Sequence, residues 1–266
     1  MSEMSEMSKM SEMRCDKGDL FTITFGDVCE NHVGMQQIGR LENSGFNLED
    51  LKVAQKWFQE KGIDTELLHL DKYLEECDDD HEAYILIARN GLSAITDVNA
   101  FYKEQANLEY DMKAFMYGRV VNKKARFNIC FADYDQEPDY ENKKGRLVAF
   151  DKCPHLEKVR QKLGEIMPVK AEKLMAEGNY YYDISKCGIG YHGDTERRKV
   201  IGIRVGASLP LYYKWYKGGK QVAEKVKVEL HNGDVYFMSQ KTSGFDWKKK
   251  KIYTLRHATG SSKYIE

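Results

Sequence analysis

The sequence predicts an α+β protein with most of its helices in the first half and most of its strands in the second. Apolar residues recur at helical spacing after Asn47, whereas apolar segments of strand length follow one another beyond residue 199. The strand candidates are residues 200–205, 209–215, 226–230 and 235–238, and a later run, 252–259, also looks extended and contains His257. His231-Asn232-Gly233-Asp234 is a tight-turn signal between two of these segments.

Composition indicates a globular chain with a sizeable core. The 266 residues carry a formal charge of −1, with 31% charged and 42% hydrophobic residues, which excludes a globally basic nucleic-acid binder but leaves local patches open. No apolar run reaches the length of a membrane span, so no membrane association is expected. The six cysteines form no Cys-x-x-Cys pair and no secretory signal is recognisable, which favours reduced thiols in the cytoplasm or nucleus.

The first elements follow from local signals. Residues 1–14 repeat a Ser-Glu-Met triplet and are predicted to be a disordered tail. Residues 20–25 alternate as a strand, and residues 28–41 suggest a short helix. Asn47 is a predicted N-cap with Asp50 in the capping-box position, and the helix is expected to run to about Lys61 and to stop at Gly62.

The middle of the chain mixes predicted helices, strands and loops. Helices are expected at residues 65–76, 94–110, 154–163 and 171–177, and strands at 83–88 and 147–150. Residues 77–82 are an acidic loop without the spacing of a metal site, and residues 133–144 are a polar loop.

A basic segment lies between two strand-like pieces within residues 115–131. Asn122-Lys123-Lys124 is predicted to be the turn of a hairpin, and Arg119 and Arg126 add positive charge nearby. Such a hairpin with aromatic neighbours suits contacts to phosphate and to a stacked base. A solvated turn is the alternative.

The functional prediction is built around His192-Gly193-Asp194. Residues at i and i+2 of an extended strand project to the same side, so this imidazole and this carboxylate can bind one metal ion. A second histidine completes two histidines and one carboxylate, the Fe(II) set that leaves positions open for a co-substrate and O₂. The alternative is a solvated hairpin whose histidine and aspartate pair with each other.

The six residues from His192 to Arg197, His-Gly-Asp-Thr-Glu-Arg, resemble the His-x-Asp-x-Glu-Arg segment of AlkB-type 2-oxoglutarate and Fe(II)-dependent dioxygenases. Residues 200–207 look like the strand that follows in that family, and residues 230–236 are similar to its Leu-x-x-Gly-Asp turn and strand. The resemblance extends from about residue 117 to the C-terminus. The whole chain is also similar to uncharacterised oxygenase-like proteins of large DNA viruses and algae.

The resemblance implies a double-stranded β-helix (jelly-roll) core with flanking helices over residues 113–266, on which an α/β region, residues 15–112, packs. It also implies that His192 and Asp194 bind Fe(II), and that 2-oxoglutarate and O₂ are used to hydroxylate a substrate C–H bond. On an N-methyl group of a DNA or RNA base, this reaction releases formaldehyde and restores the base.

Two departures from the family pattern leave the third ligand open. The family's distal histidine lies where this chain has Phe245-Asp246-Trp247-Lys248-Lys249. The family also places an arginine well after the distal histidine, to pair with the co-substrate carboxylate, whereas the only basic residue after His257 here is Lys263. In one register His257 is the third ligand and Lys263, Arg204 or another group holds the co-substrate carboxylate. In the other, Arg256 is the co-substrate arginine and the third ligand is missing. Neighbouring strand residues face opposite sides, so Arg256 and His257 cannot both point at the metal.

The remaining site predictions concern the co-substrate and the substrate. Tyr180 and Tyr182 resemble the positions that contact 2-oxoglutarate in the family, although plain core tyrosines are the alternative. Substrate contacts are expected from the basic segment and from the tryptophan of residues 245–249. These residues are Arg119, Lys123, Lys124, Arg126 and Trp247.

Three functions are compatible with the sequence. The first is a 2-oxoglutarate/Fe(II) dioxygenase acting on a methylated or modified nucleic-acid base. The second keeps the chemistry but oxidises a protein side chain, in line with a chain that is nearly neutral. The third is a non-catalytic binding module with a degenerate metal site, which the missing arginine and the displaced histidine favour. The sequence leaves the oligomeric state open.

Overall fold

The structure, a computed structural model, describes residues 18–75 and 81–266. The strands are β1 (Leu20–Gly26), β2 (Val28–Glu30), β3 (Gln37–Gly39), β4 (Thr65–His69), β5 (Tyr84–Ala88), β6 (Lys113–Met116), β7 (Arg119–Asn122), β8 (Phe127–Ala132), β9 (Leu147–Ala149), β10 (Met175–Tyr181), β11 (Gly188–His192), β12 (Val200–Gly206), β13 (Leu211–Lys217), β14 (Lys220–Gln221), β15 (Val226–Val228), β16 (Val235–Met238) and β17 (Thr254–Gly260). The predicted tail, residues 1–14, and residues 77–80 of the predicted acidic loop lie outside the described residues.

The helices are α1 (Leu48–Glu60), α2 (Val98–Ala106), α3 (Pro154–Ile166), α4 (Gln240–Ser243) and α5 (Ser262–Ile265). Single 3₁₀ turns occupy Asp71–Tyr73, Gly91–Ala94, Tyr140–Asn142 and Phe150–Lys152. Within the described part of the chain, no helix is both long and apolar enough to cross a membrane. The predicted mixed α+β class is confirmed.

Two sheets contain most of the strands. The large sheet has the order β4–β5–β16–β12–β1–β10–β8–β9, and its neighbouring strands are antiparallel except for β8 and β9. The small sheet has the order β11–β17–β13–β14, with β15 also paired to β13. From β10 to β17 the chain therefore passes repeatedly from one sheet to the other.

The core has two parts, one on each face of the large sheet. One face packs against α1, α2 and α3, through residues that include Phe21, Ile23, Phe25, Leu51, Phe58, Phe101, Leu156 and Leu163. The other face packs against the small sheet, through residues that include Ile85, Ile87, Val200, Tyr213, Trp215, Val226, Met238 and Leu255. This gives three layers, with the large sheet in the middle.

Several predicted elements are confirmed where a local signal matches the structure. The capping box of α1 is present, because the Asn47 side chain accepts from the Asp50 amide and the Asp50 carboxylate accepts from the Asn47 amide. Helix α1 ends at Glu60, and Gly62 follows with a φ of 72°. The strands predicted at residues 20–25 and 83–88 and the helices within 94–110 and 154–163 are also found.

The helix predicted at residues 65–76 is wrong. Thr65–His69 is strand β4, which pairs with all five residues of the buried strand β5. The leucines and glutamates of this segment are good helix formers, but the free edge of β5 offers a full ladder of hydrogen bonds.

The helices predicted at residues 28–41 and 171–177 are also wrong. The first segment is the hairpin of β2 and β3, in which Gly34 and Gly39 have φ values of 87° and 102°. The second runs into β10, with Gly178 in the middle of that strand. A Cβ there would lie 2.6 Å from the Tyr110 hydroxyl, so the close packing of β10 against Tyr110 explains this glycine.

Strand β1 connects the N-terminal region to the centre of the fold. It lies between β10 and β12 in the large sheet, with Thr22 opposite Asn179 on one side and Arg204 on the other. The boundary expected at residue 112 therefore does not separate two units, since strands from both sides of it form one sheet.

Candidate metal centre

His192, Asp194 and His257 lie together at one end of the space between the sheets. Each offers a ligand atom, and these atoms are all within 4.8 Å of one another. The Nε2 atoms of His192 and His257 lie 3.5 Å and 3.7 Å from the same Asp194 Oδ1. Strands β11 and β17 pair with His192 directly opposite His257, which brings together residues that are far apart in the sequence. The cluster could hold a metal ion.

The His192 ring is oriented as a metal ligand requires. Its Nδ1 is 2.8 Å from the Gly190 carbonyl oxygen, and a carbonyl only accepts, so Nδ1 carries the proton. In the neutral ring, the lone pair of Nε2 then faces a carboxylate oxygen. Two lone pairs at this separation repel each other unless a cation lies between them. The arrangement therefore favours a bound cation.

His257 is kept in the form that can bind metal. Burial lowers its pKa well below the usual range, and His192, Arg197 and Arg204 add to this effect. The imidazole is therefore neutral at pH 7. Because only neutral histidine coordinates a metal ion, no proton has to be removed from it at that pH.

Arg197 holds the carboxylates around the cluster. Its guanidinium lies 2.5 Å from Glu177, 2.9 Å from Glu196 and 3.8 Å from Asp194. Glu177 is buried, yet Arg197 keeps its pKa below the usual range against the effect of burial. The Asp194 backbone amide also donates to the Ser243 carbonyl at 2.9 Å, so the ligand loop is attached to α4.

Gly193, between the two first ligands, is in contact with the backbone of Gly244. A Cβ at Gly193 would overlap the Gly244 carbonyl, and neither backbone can move away cheaply. We expect Gly193→Ala to weaken Mn(II) affinity at least tenfold, because the ligand pair is displaced. Gly190→Ala on the same strand is the matched control, since its Cβ has its nearest neighbour at 3.8 Å. Equal Mn(II) affinity of the two variants by titration calorimetry would contradict this account.

The cluster opens into a cavity of about 200 Å³ between the sheets. One wall comes from the large sheet and the other from the small sheet, and the β2–β3 connection and the Trp247 segment form parts of the rim. The cavity lining includes Thr22, Glu30, His32, Arg126, Glu177, Asn179, Tyr181, Glu196, Arg204, Tyr236 and Trp247.

Arg204 is the most unusual residue of this cavity. It is 1% exposed, and its Nε and Nη1 atoms have no hydrogen-bond partner among the described residues. Thr22, its neighbour on β1, also lines the cavity and has an unpartnered Oγ1. The guanidinium carbon lies 5.9 Å from the centre of the Tyr236 ring. The Tyr236 side chain also hydrogen-bonds the guanidinium, but no carboxylate of the described residues lies within 4.0 Å of it. A buried guanidinium without a counter-charge is costly, so Arg204 and Thr22 fit an anionic ligand.

Tyr180 and Tyr182 do not line the cavity. Tyr180 stacks on Phe21 with ring centres 4.4 Å apart and donates to Asp19, on the helix side of the sheet. Tyr182 stacks on Phe127 and donates to the Lys124 carbonyl. The residues of this stretch that face the cavity are Glu177, Asn179 and Tyr181. The predicted pair is thus one position out of register, which reverses the face of a strand.

Arg256 and Lys263 are also outside the cavity. Arg256 lies over the ring of Tyr216, with 3.9 Å from the guanidinium carbon to the ring centre, and points away from His257 as the alternation of β17 requires. Lys263 is on α5, over the ring of Tyr264. Of the three residues considered for the co-substrate carboxylate, the structure brings only Arg204 to the metal cluster.

The basic segment is built differently from the prediction. Its hairpin pairs β6 with β7 and turns at Tyr117 and Gly118, which have φ values of 54° and 76°. Asn122 instead ends β7, and Lys123 and Lys124 begin the loop that connects β7 to β8. Lys123 is internal, donating to Asn31 Oδ1 at 2.6 Å and Asn128 Oδ1 at 3.0 Å, and burial lowers its pKa to about 8. It is therefore held by the fold rather than free for phosphate.

The other predicted substrate residues are accessible. Arg119 and Lys124 are exposed, whereas Arg126 lines the cavity and donates to Asn179 Oδ1 at 2.6 Å. Trp247 lines the cavity too, and its indole nitrogen has no partner among the described residues. His32, for which a functional role and a histidine hydrogen-bonded inside the fold were both compatible with the sequence, lines the cavity as well.

The fold and the site define a mixed α+β protein with a candidate two-histidine, one-carboxylate metal centre. No family model matches the chain. An uncharacterized protein of Acanthamoeba polyphaga mimivirus is 50% identical over 250 residues, which are 93% of this chain and 98% of the viral protein. The chain belongs to the same family as that viral protein.

Proposed function

We propose that this protein is a 2-oxoglutarate/Fe(II)-dependent dioxygenase that oxidises a methylated or modified nucleic-acid base. The observation that carries the proposal is the presence, in one cavity, of the His192, Asp194 and His257 cluster and the buried guanidinium of Arg204, two nitrogens of which have no partner among the described residues. A metal set with open positions and a buried anion site beside it fit a co-substrate that bears carboxylates. A structural metal site has no need of a neighbouring cavity or of an unpaired arginine.

The strand order supports a double-stranded β-helix as the finer description of the fold. The order β10–β1–β12–β16 in the large sheet faces β11–β17–β13–β15 in the small one, and the chain alternates between them. The first of these sheets is completed by β1, a strand from the start of the chain. We infer that β1 completes this sheet, and that Arg204 on the neighbouring strand β12 has the role that the resemblance gives to an arginine after the distal histidine.

The residues of the cavity fit Fe(II) and 2-oxoglutarate in defined roles. His192, Asp194 and His257 would bind Fe(II), which supplies the means to oxidise an unactivated C–H bond with O₂. Arg204 and Thr22 would hold the far carboxylate of 2-oxoglutarate by charge and hydrogen bonds. Arg197 fixes Asp194, and the facing sheets exclude water. In this proposal Trp247, His32 and Arg126 contact the substrate at the rim.

The proposal is tested by 2-oxoglutarate turnover. We expect the purified protein with Fe(II) and ascorbate to form succinate, and to form more of it with a methylated oligonucleotide than with the same unmethylated strand. The panel includes methylated peptides, because a protein side chain is the second possible substrate. A protein that binds Mn(II) but forms no succinate with any member of the panel would instead support a non-catalytic binding module.

Nucleic-acid binding is expected to depend on the exposed basic residues of the hairpin region. Arg119→Ala combined with Lys124→Ala should weaken binding and reduce the salt slope by roughly one per lost phosphate contact. The matched control is Lys52→Ala with Lys56→Ala, since both are exposed on α1. Fluorescence anisotropy at several salt concentrations measures the slope. Identical slopes for both double variants would favour a protein substrate.

A further inference from the structure

Positive charge is concentrated in two segments that the proposed mechanism hardly uses. The chain has 41 basic and 42 acidic residues, and ten of the former but only one of the latter lie in residues 212–227 and 247–256. The rest of the chain is therefore net acidic, so the charges of this nearly neutral protein are separated. The ten residues, together named the basic face, are Lys214, Lys217, Lys220, Lys225, Lys227, Lys248, Lys249, Lys250, Lys251 and Arg256.

The alternation of β13 and β17 directs the centre of the basic face away from the cavity. Tyr213 and Trp215 are fully buried between the two sheets, so Lys214 between them points to the outer side of the small sheet. Arg256 lies directly opposite Lys214 in the pairing of β13 with β17, and it also points outward because the adjacent His257 points inward. The two charges thus lie side by side on one sheet surface.

The basic face continues from this surface to the mouth of the cavity. The Gly218 amide, in the β13–β14 turn, donates to the Lys250 carbonyl at 2.9 Å, which attaches the lysine run to the small sheet. Trp247 and Lys248, at the start of that run, line the cavity. The Arg256 guanidinium carbon lies 5.0 Å from the centre of the Trp247 ring, and its buried Nε has no hydrogen-bond partner among the described residues. One surface therefore joins the cavity rim to the outside of the small sheet.

Aromatic rings hold the cations of the basic face in position. The ring centres of Tyr191, Tyr253, Tyr212 and Tyr216 lie 4.4, 4.0, 5.2 and 3.9 Å from the charged groups of Lys214, Lys217, Lys225 and Arg256, respectively. A ring attracts a cation through its quadrupole but does not neutralise it. The charges are therefore preorganised and still able to bind an anion.

Carboxylates do little to neutralise the basic face. Among the described residues, Lys227 is its only member with a side-chain carboxylate within 4.0 Å, that of Glu229. Lys214 and Lys225 donate at 3.4 Å to the main-chain oxygens of residues 266 and 265. Burial lowers the pKa of Lys214, and the ammonium of Lys225 lowers it further. Like charges are thus held close together, an arrangement that a bound polyanion stabilises.

The aromatic residues of the basic face favour single-stranded nucleic acid over other polyanions. Proteins that bind single strands without sequence preference combine cations for the phosphates with aromatic side chains on which the bases stack. The four tyrosines are half-buried, so part of each ring is accessible. An anionic membrane is bound by cations beside an apolar stripe that inserts, whereas the outward positions of β13 hold Tyr212, Lys214 and Tyr216.

We propose that the basic face is a second binding surface for single-stranded nucleic acid, along which the strand continues beyond the mouth of the cavity. The inference rests on the proposed function and deepens it, since it assigns to the same partner a surface outside the metal site. The cavity receives the base, and the basic face binds the flanking phosphates and stacks the flanking bases. This surface is independent of the metal, so it should bind unmodified strands as well.

The test measures the binding of a fluorescent oligodeoxythymidylate of about 24 nucleotides by anisotropy at several salt concentrations, without metal or 2-oxoglutarate. Lys217→Gln, Lys220→Gln and Lys250→Gln are combined, because all three are exposed and lie away from the cavity. We expect this variant to bind about tenfold more weakly or worse and to lose about two from the salt slope. Its Mn(II) affinity should equal that of the wild type, which shows that the fold is retained.

The matched control combines Lys52→Gln, Lys56→Gln and Lys61→Gln, which changes the net charge equally. These lysines are exposed on α1 or just after it, on the other side of the large sheet, and Lys61 also lies over an aromatic ring, that of Trp57. The control should bind the oligonucleotide within about twofold of the wild type. Equal affinities and equal slopes for the two triple variants would overturn the inference, whether or not the protein forms succinate.

A second variant tests stacking separately from charge. Tyr212→Leu removes a ring from the basic face and no charge, so it should weaken oligonucleotide binding about fivefold or more and leave the salt slope unchanged. Binding of heparin, a polyanion without bases, should be unaffected by Tyr212→Leu. If Tyr212→Leu binds the oligonucleotide like the wild type, base stacking is overturned and with it the assignment to a single strand.

The remaining outcomes separate this inference from the proposed function. If the protein forms no succinate but binds the oligonucleotide through the basic face, the surface is supported and the dioxygenase proposal fails. If vesicles of equimolar phosphatidylserine and phosphatidylcholine bind through the basic face and the oligonucleotide does not, the partner is an anionic membrane and the nucleic-acid assignment is overturned.

Discussion

Asp194→Ala is expected to abolish tight metal binding while leaving the fold intact. Asp194 supplies the only carboxylate of the cluster, and one of its oxygens lies within 3.7 Å of both histidine nitrogens. Without it, two neutral imidazoles must hold a divalent cation alone, so we expect affinity for Mn(II) to fall by about two orders of magnitude or more. Turnover of 2-oxoglutarate should fall with it.

The control for this experiment is Asp64→Ala, since Asp64 is an exposed carboxylate in the loop after α1. Metal content after desalting is measured by mass spectrometry, and thermal unfolding without metal tests whether the fold is retained. Metal-free Asp194→Ala is expected to be at least as stable as the metal-free wild type, because the carboxylate no longer faces two histidine nitrogens. Undiminished metal content in this variant would show that His192, Asp194 and His257 do not form the metal site.

The metal cluster was accessible to sequence reasoning because each of its residues has a local signal. His192 and Asp194 form a His-x-Asp motif, and His257 lies in an extended apolar run. What the sequence could not show is that His192 is opposite His257, since the pairing of β11 with β17 depends on the whole small sheet. That pairing places His257 in the cavity and Arg256 outside it, which favours the register in which His257 is the third ligand.

The face assignment of β10 was missed for a physical reason. Tyr180, Tyr181 and Tyr182 are consecutive, and one side of this strand packs on helices while the other lines the cavity. With aromatic residues on both faces, the alternation that identifies a half-buried strand disappears. The polar residues Glu177 and Asn179 were the better guide, because they are two apart and share a face with Tyr181.

The position of β1 was not predictable from neighbouring residues. Its partners β10 and β12 lie far along the chain, and an alternating apolar strand carries no information about which strands it joins. Arg204, by contrast, had a usable signal, since it is the single charged residue in the otherwise apolar run from Val200 to Gly206. A lone charge in a buried strand requires a partner, and here that partner is expected to be a ligand.

Arg204→Met is expected to raise the dissociation constant for 2-oxoglutarate by about two to three orders of magnitude and to leave Mn(II) binding intact. Removing one member of a buried charge pair costs about 3–5 kcal/mol, because the other charge remains desolvated without a partner. Methionine is apolar and of similar length, so it should relieve the unpaired charge of the ligand-free protein and not unfold it. Equilibrium binding of 2-oxoglutarate in the presence of Mn(II) measures the effect.

Arg256→Met is the matched control, because the two arginines lie on facing sheets but only Arg204 lines the cavity. It should lose packing against Tyr216 and leave 2-oxoglutarate affinity within about twofold of the wild type. His257→Ala, by contrast, should lose the metal and with it the metal-dependent part of 2-oxoglutarate binding. If Arg256→Met weakens 2-oxoglutarate binding more than Arg204→Met does, and His257→Ala still retains metal, the other register is correct. A carboxylate partner on the far side of β17 would then require that strand to turn over, which reverses every side chain from Thr254 to Gly260.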